Sequence, residues 1–275
     1  MPQLSITTDY LESKGSPDRY LRAIGEAGFT HIHWCHQWNT DFLYGAAEIA
    51  QIKQWLTDYG IALCDLHASH GKEKRWGSGL DYERLAGLDL IRNRLDMTAE
   101  LGGDVIILHA PPSDDIDRQR KSLGDLEADC RRTGVRIALE NLGAGSFDRV
   151  EALLSEFGPD VCGHCYDCGH GNITGDGLAR LEGLKDRLIS VHLHDNDGKG
   201  DLHRIPFSDT VDWPRLAELI AGSSYTKPLS FEVVTRNHEG IEETEFLAWV
   251  LETGNRLAAL VKGSRTRIAK KHTED

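Results

Sequence analysis

Three observations in the amino-acid sequence predict one α/β domain, a (β/α)8 TIM barrel, over residues 1–262. Eight short β-rich runs alternate with amphipathic stretches, in units of about 30 residues, as right-handed βαβ crossovers require. The length, 275 residues, is near that of a single such barrel. No proline- or serine-rich linker divides the chain.

The strands are expected, in order, at 4–8 (LSITT), 30–35 (THIHWC), 61–67 (IALCDLH) and 104–110 (DVIILHA). The second half supplies 136–141 (RIALEN), 161–167 (VCGHCYD), 188–194 (LISVHLH) and 228–233 (PLSFEV). Helical spacing is clearest over 81–101, where Leu85, Leu88, Ile91 and Leu95 recur, and over 242–262, with Leu247, Val250, Leu251, Leu257 and Val261. After 262 the segment KGSRTRIAKKHTED loses apolar periodicity and turns basic, so 263–275 reads as a flexible C-terminal tail.

Composition narrows the function classes. Hydrophobic residues make up 40% and charged residues 27%, which fits a globular domain rather than a disordered one. The net charge of −13, from 44 acidic and 31 basic residues, opposes a phosphate backbone and argues against a nucleic-acid partner. No apolar run reaches 18 residues, so no membrane span is expected. The six cysteines are sparse and mostly lie in apolar strands, and the N-terminus lacks a basic start followed by an apolar stretch. Both features point to reduced thiols and a cytoplasmic protein. Self-association into a homo-oligomer stays open.

Active-site residues of a barrel come from the C-terminal ends of its strands. Those ends offer His67, His109, Glu140, Asp167, His192 and Glu232, with His170 three residues beyond Asp167. Alternation is an independent check, because residues two apart point the same way. In IALEN, Ala138 and Glu140 oppose Ile137 and Leu139; in LSFEV, Ser230 and Glu232 oppose Leu229, Phe231 and Val233. In SVHLH, Ser190, His192 and His194 oppose Val191 and Leu193. The larger apolar sets would face the helices and leave the polar residues inside. Any one of these could be a hydrogen-bonded barrel side chain, but the set together would be costly without a cation. Mixed oxygen and nitrogen donors suit Mn²⁺, Mg²⁺, Co²⁺, Fe²⁺ or Zn²⁺.

The segments ILHA at 107–110, ALEN at 138–141, YDCGHGN at 166–172, VHLHDNDGKGDLH at 191–203 and SFEV at 230–233 carry a resemblance. In order and spacing the chain resembles the xylose isomerase-like TIM-barrel superfamily over about residues 4–262. That group includes sugar phosphate isomerases and epimerases, ketose 3-epimerases, inosose dehydratases and endonuclease IV. The resemblance implies a divalent metal held by Glu140, Asp167, His192 and Glu232, with His192 rather than His194 matching the family histidine. It also implies that Glu140 and Glu232 exchange protons with a carbohydrate through an enediolate, for which a chelating metal stabilises the charge. The further histidines and aspartate of endonuclease IV find matches in His67, His109, His170, Asp201 and His203, as additional metal or substrate contacts. Sugar isomerisation or epimerisation is therefore expected, with phosphodiester hydrolysis, dehydration and lyase chemistry as alternatives. A non-catalytic sugar-binding protein is disfavoured by the full ligand set.

Other features carry weaker expectations. Trp34, Trp38 and Trp76 fall near strand ends, where an indole could stack on a sugar or merely pack. His33 should point inward and could meet substrate hydroxyls or serve structure. Lys199 reads as a surface lysine, although an anion contact is open to it. GKEKRW at 71–76 reads as a solvated lid loop before a DNA contact. Cys162-Gly-His-Cys165 matches a dithiol motif by letters, but it falls inside a strand rather than at a helix N-terminus. No glycine-rich nucleotide motif is present.

Overall fold

A computed structural model describes residues 2–11, 15–36, 42–68 and 74–274. The strands are β1 (Leu4–Thr7), β2 (His31–Trp34), β3 (Ala62–His67), β4 (Val105–His109), β5 (Arg136–Glu140), β6 (Cys162–Asp167), β7 (Leu188–His192) and β8 (Leu229–Phe231). The helices are α1 (Asp18–Ala27), α2 (Ala46–Asp58), α3 (Asp81–Glu100), α4 (Ile116–Thr133), α5 (Ser146–Glu156), α6 (Cys168–Thr174), α7 (Gly177–Leu184), α8 (Trp213–Ala221) and α9 (Glu243–Glu274). All paired strands are parallel, in the order β7-β6-β5-β4-β3-β2-β1-β8. The ring closes where Leu193, just past β7, bridges Phe231 of β8. This is the expected (β/α)8 barrel, each strand lying inside its expected run.

Alternation sorts the side chains into two cores. Ile106, Leu108, Ile137, Leu139, Val191 and Phe231 face outward and pack with the helices in one continuous cluster. Val105, Ile107, Ala138, Cys165 and Ile189 form a small separate cluster inside the barrel. Inward positions beyond that plug are polar, which leaves an apolar floor beneath a polar mouth. On α3, Leu88, Ile91 and Leu95 are buried as expected, but Leu85 is 49% exposed because it lies off the stripe they share with Gly87 and Arg94. Helix α4 shows its limits in sequence: the Asp115 carboxylate accepts from the amides of Asp117 and Arg118, and Gly134 ends the helix in the left-handed region.

The expected boundary at 262 falls within α9, which continues to Glu274. Residues 263–274 are therefore helical rather than a loose tail. Ser264 is buried, and Arg265 donates to the Tyr225 carbonyl at 2.8 Å. Lysine, arginine and alanine propagate helix well, so a narrow contact face suffices. Among the described residues no helix is long and apolar enough to cross a membrane.

Candidate metal centre

Glu140, Asp167 and His192 are the last residues of β5, β6 and β7, and Glu232 directly follows β8. The parallel register sets Asp167 opposite His192. One donor atom from each of the four lies within 4.8 Å of the others. His192 Nδ1 is 3.1 Å from Glu232 Oε2, 3.5 Å from Glu140 Oε1 and 3.8 Å from Asp167 Oδ2. Yet Glu140 Oε2 and both His192 ring nitrogens are buried without a hydrogen-bond partner. The donors crowd one small volume, and part of their bonding capacity is left unused there. Three carboxylates and an imidazole arranged this way fit a divalent cation.

The other expected residues flank this set. His67 Nε2 and His109 Nε2 lie 3.5 and 3.3 Å from Glu140 Oε2. On the opposite flank, Asp201 Oδ2 is 3.4 Å from His170 Nε2 and 3.1 Å from His203 Nε2, while His170 Nδ1 is 3.4 Å from Glu140 Oε1. Glu140 thus stands among His67, His109, His170 and His192.

Several positioning residues escaped the sequence reading. Asn141 is clamped to the next strand: its Oδ1 accepts from the Asp167 amide at 2.9 Å and its Nδ2 donates to the Asp167 carbonyl at 2.8 Å. His194, passed over in favour of His192, is fully buried, and its Nε2 lies 3.1 Å from both Asp167 oxygens. Its ring stacks on His203 at 4.1 Å. Gly169 makes room for it, since a Cβ there would fall 2.0 Å from His194 Cε1. Asp195 ties down the following loop, accepting from the amides of Asn196, Asp209 and Val211 and from Trp213 Nε1. That loop holds His203 at a φ of 45°, with Nδ1 donating to the Glu232 carbonyl at 2.7 Å. Asp195 and His194 each differ in role from their letters alone, and only long-range contacts reveal it.

Electrostatics follow from this crowding. Burial alone would push the Glu140 and Glu232 carboxyls up, but His192 first, then His109 beside Glu140 and His203 beside Glu232, hold both below the usual range. Burial would likewise lower His203, but Asp201 and Glu232 raise it to about 9. Deeper in the barrel, Asp65 is fully buried, yet its bond to His33 outweighs burial and brings its carboxyl to about 2. His33 does point inward, as alternation predicts, with Nδ1 2.8 Å from Asp65 Oδ1.

The remaining candidates lie elsewhere. Trp34 faces the helices and donates to Tyr44 Oη; Trp76 is buried and donates to the His109 carbonyl, so neither indole is open to stack on a sugar. Trp38 and residues 71–73 lie outside the described residues. Arg75 pairs with Asp114, and Lys199 is on the surface. Cys162 and Cys165 are buried in β6, and burial pushes both thiols up to about 12, which is wrong for a redox dithiol.

Residues 21–251 match the family model described as xylose isomerase-like TIM barrel. The uncharacterised protein y4fM of Sinorhizobium fredii is 31% identical over 283 aligned residues, covering 90% of this chain and 91% of that one. The 3-dehydro-D-guloside 4-epimerase of Escherichia coli K12 is 26% identical over 260 residues, covering 84% and 92%. A solved L-ribulose 3-epimerase structure superposes with a TM-score of 0.78 at 15% identity, covering 98% of this chain and 97% of that one.

Proposed function

The chain belongs to the xylose isomerase-like TIM-barrel family, and from that premise we propose that it is a divalent-metal-dependent epimerase or isomerase of sugars. The observation that carries this reading is the convergence of Glu140, Asp167, His192 and Glu232 with unpartnered buried donor atoms. The two named relatives support the substrate class. In both names the epimerised carbon stands next to a carbonyl carbon.

Glu140, Asp167, His192 and Glu232 would hold the ion, which supplies positive charge against the negative charge developing on the sugar oxygens. Strands β5 and β8 stand three positions apart around the barrel, so Glu140 and Glu232 approach a bound sugar from different sides. One glutamate removes the proton from the carbon beside the carbonyl, and the C–H electron pair moves toward the carbonyl oxygen. The other, carrying a proton taken from solvent, returns one to the opposite face. His67, His109, His170 and His203 line the mouth as hydrogen-bonding partners for sugar hydroxyls. Because the abstracted proton exchanges with solvent, turnover in D₂O with a panel of ketoses and keto-glycosides should place deuterium beside the carbonyl. Glu140→Gln and Glu232→Gln should each slow that exchange by about 10²–10⁴-fold. Metal-dependent sugar binding without any exchange across the panel would overturn the reading.

A second reading rests on the flanking groups. His67 and His109 with Glu140, and His194 and His203 with Asp201, are also spaced to hold cations. Three ions would suit phosphodiester hydrolysis. Chelator-sensitive nicking of plasmid carrying abasic sites would establish it, whereas the acidic balance of the chain favours the sugar.

A further inference from the structure

The ring of strand tips is not fully used by the proposed chemistry. The ion takes the tips of β5 to β8, and His67 and His109 end β3 and β4. The tips of β1 and β2 have no role yet, although they lie between Glu232 and His67 around the barrel. In β1, Leu4 and Ile6 pack outward with the helices, while Ser5 and Thr7 turn inward, Ser5 Oγ meeting Ser230 Oγ at 3.3 Å. Thr7 pairs with His33 of β2. Two residues further along each strand, Asp9 and Cys35 therefore come out together at the mouth.

Asp9 is held there as an acceptor. The Thr7 hydroxyl donates to its Oδ1 at 2.5 Å. The Cys35 thiol is buried and hydrogen-bonds the same carboxylate; burial first, then Asp9 and Glu232, push that thiol up, so it keeps its proton. One thiol feels both carboxylates, which sets Asp9 on the Glu232 side of the mouth. Yet Asp9 belongs to none of the donor groupings spaced for a cation among the described residues. It is only half-buried, and a carboxylate has about four acceptor positions, more than these two donors fill. Cations near the mouth are already matched: His203 by Asp201 at 3.1 Å, Arg75 by Asp114 at 3.1 Å, and Arg204 by Asp209. A phosphate brought beside Asp9 would meet like charge, whereas sugar hydroxyls are donors to it.

We propose that Asp9 is a substrate-binding residue that selects an uncharged sugar, accepting hydrogen bonds from hydroxyls on the part of the molecule away from the ion. Thr7 and Cys35 are its positioning residues. The inference rests on the sugar reading above and deepens it, setting free sugars and glycosides apart from sugar phosphates.

The test uses the full chain loaded with Mn²⁺ and follows deuterium uptake from D₂O by ketoses and keto-glycosides, beside the ketohexose 6-phosphates. Wild type should favour the uncharged sugars in kcat/KM by about 100-fold or more. Asp9→Asn, whose amide oxygen still accepts from Thr7, should raise KM for the most active sugar of the panel by about 10–100-fold, the loss falling on KM rather than kcat. The same variant should cut the discrimination against 6-phosphates by about 10-fold. Its Mn²⁺ affinity should stay within twofold of wild type, because Asp9 is not a ligand. A wild type that prefers the phosphates, an unmoved KM in Asp9→Asn, or a tenfold loss of Mn²⁺ affinity would each refute the proposal and leave the sugar reading standing. Should Asp9→Asn fail to fold, Thr7→Val takes its place, with KM expected to rise about 3–10-fold and an unmoved KM again refuting. No deuterium uptake by any sugar would overturn both readings.

Discussion

Gly169→Ala isolates one contact on which the site depends. The added methyl would stand 2.0 Å from His194 Cε1, 2.6 Å from Nδ1 and 2.7 Å from Nε2, where ordinary carbon contacts need well over 3 Å. The ring cannot swing aside cheaply, because it is fully buried between Gly169 and the stacked ring of His203. Relief therefore means moving His194 by about an ångström, which breaks its paired 3.1 Å contacts with the Asp167 carboxylate. Overpacking costs about 1–3 kcal/mol, and a lost hydrogen bond to a charged group about 1.5–3 kcal/mol. Together the loss is about 2.5–6 kcal/mol, or roughly 4–10 °C in Tm for a chain of this size. Calorimetry with the metal-free protein reads the stability, and titration with Mn²⁺ reads the released Asp167 as affinity weakened by about 10–100-fold. A variant melting within 1 °C of wild type, with unchanged affinity, would refute the reasoning.

Two further outcomes follow from the electrostatics and the loop. With the metal removed, His203, raised to about 9, contributes stability that is complete below about 6.5 and lost as pH climbs through 9. The depressed Glu140 and Glu232 contribute stability present above about 4.3 and lost in acid. Chelator-treated protein should therefore melt highest between about pH 5 and 6.5 and lower at 9.5, with a flat profile across 6.5–9.5 counting against this account. Asp195→Ala should unpair the buried amide of Val211 and the Trp213 indole, at about 1–3 kcal/mol each. Urea denaturation showing less than about 1 kcal/mol of loss would mean water replaces the carboxylate.

Most of the barrel was legible because period-two alternation is a local property. Glu140, sharing a face with Ala138, had to point inward once Ile137 and Leu139 were assigned to the helices, and Glu232 followed by the same logic against Phe231. Asp65 shares a face with His67, so the same rule could have found it. It was passed over because one acid in an apolar strand has no meaning until His33 and Ser190 are known to meet it. Asn141, His194 and Asp195 each bond partners 14 to 27 residues away, a separation no local pattern encodes. Trp34 and Trp76 stayed open between stacking and packing for the opposite reason: proximity to a strand end says nothing of which side the indole takes. The helix beyond 262 was hidden because a single buried serine and a few basic side chains are too narrow a stripe for a periodicity reading.

The seam of the barrel falls at the site itself. Strands β7 and β8 meet through Leu193, whose amide donates to the Ser230 carbonyl at 2.9 Å and whose carbonyl accepts from the Glu232 amide at 3.2 Å. Elsewhere around the ring, neighbouring strands share at least two residue pairs, from Leu66 and His67 of β3 against β4 to the run from Val105 to His109 of β4 against β5. His192 and Glu232 therefore stand on the two banks of the least stitched join. Whatever they hold in common fastens the hoop, and breathing of that join is how the mouth would let go of it. The amides of Leu193 and Glu232 are where hydrogen exchange would register both events.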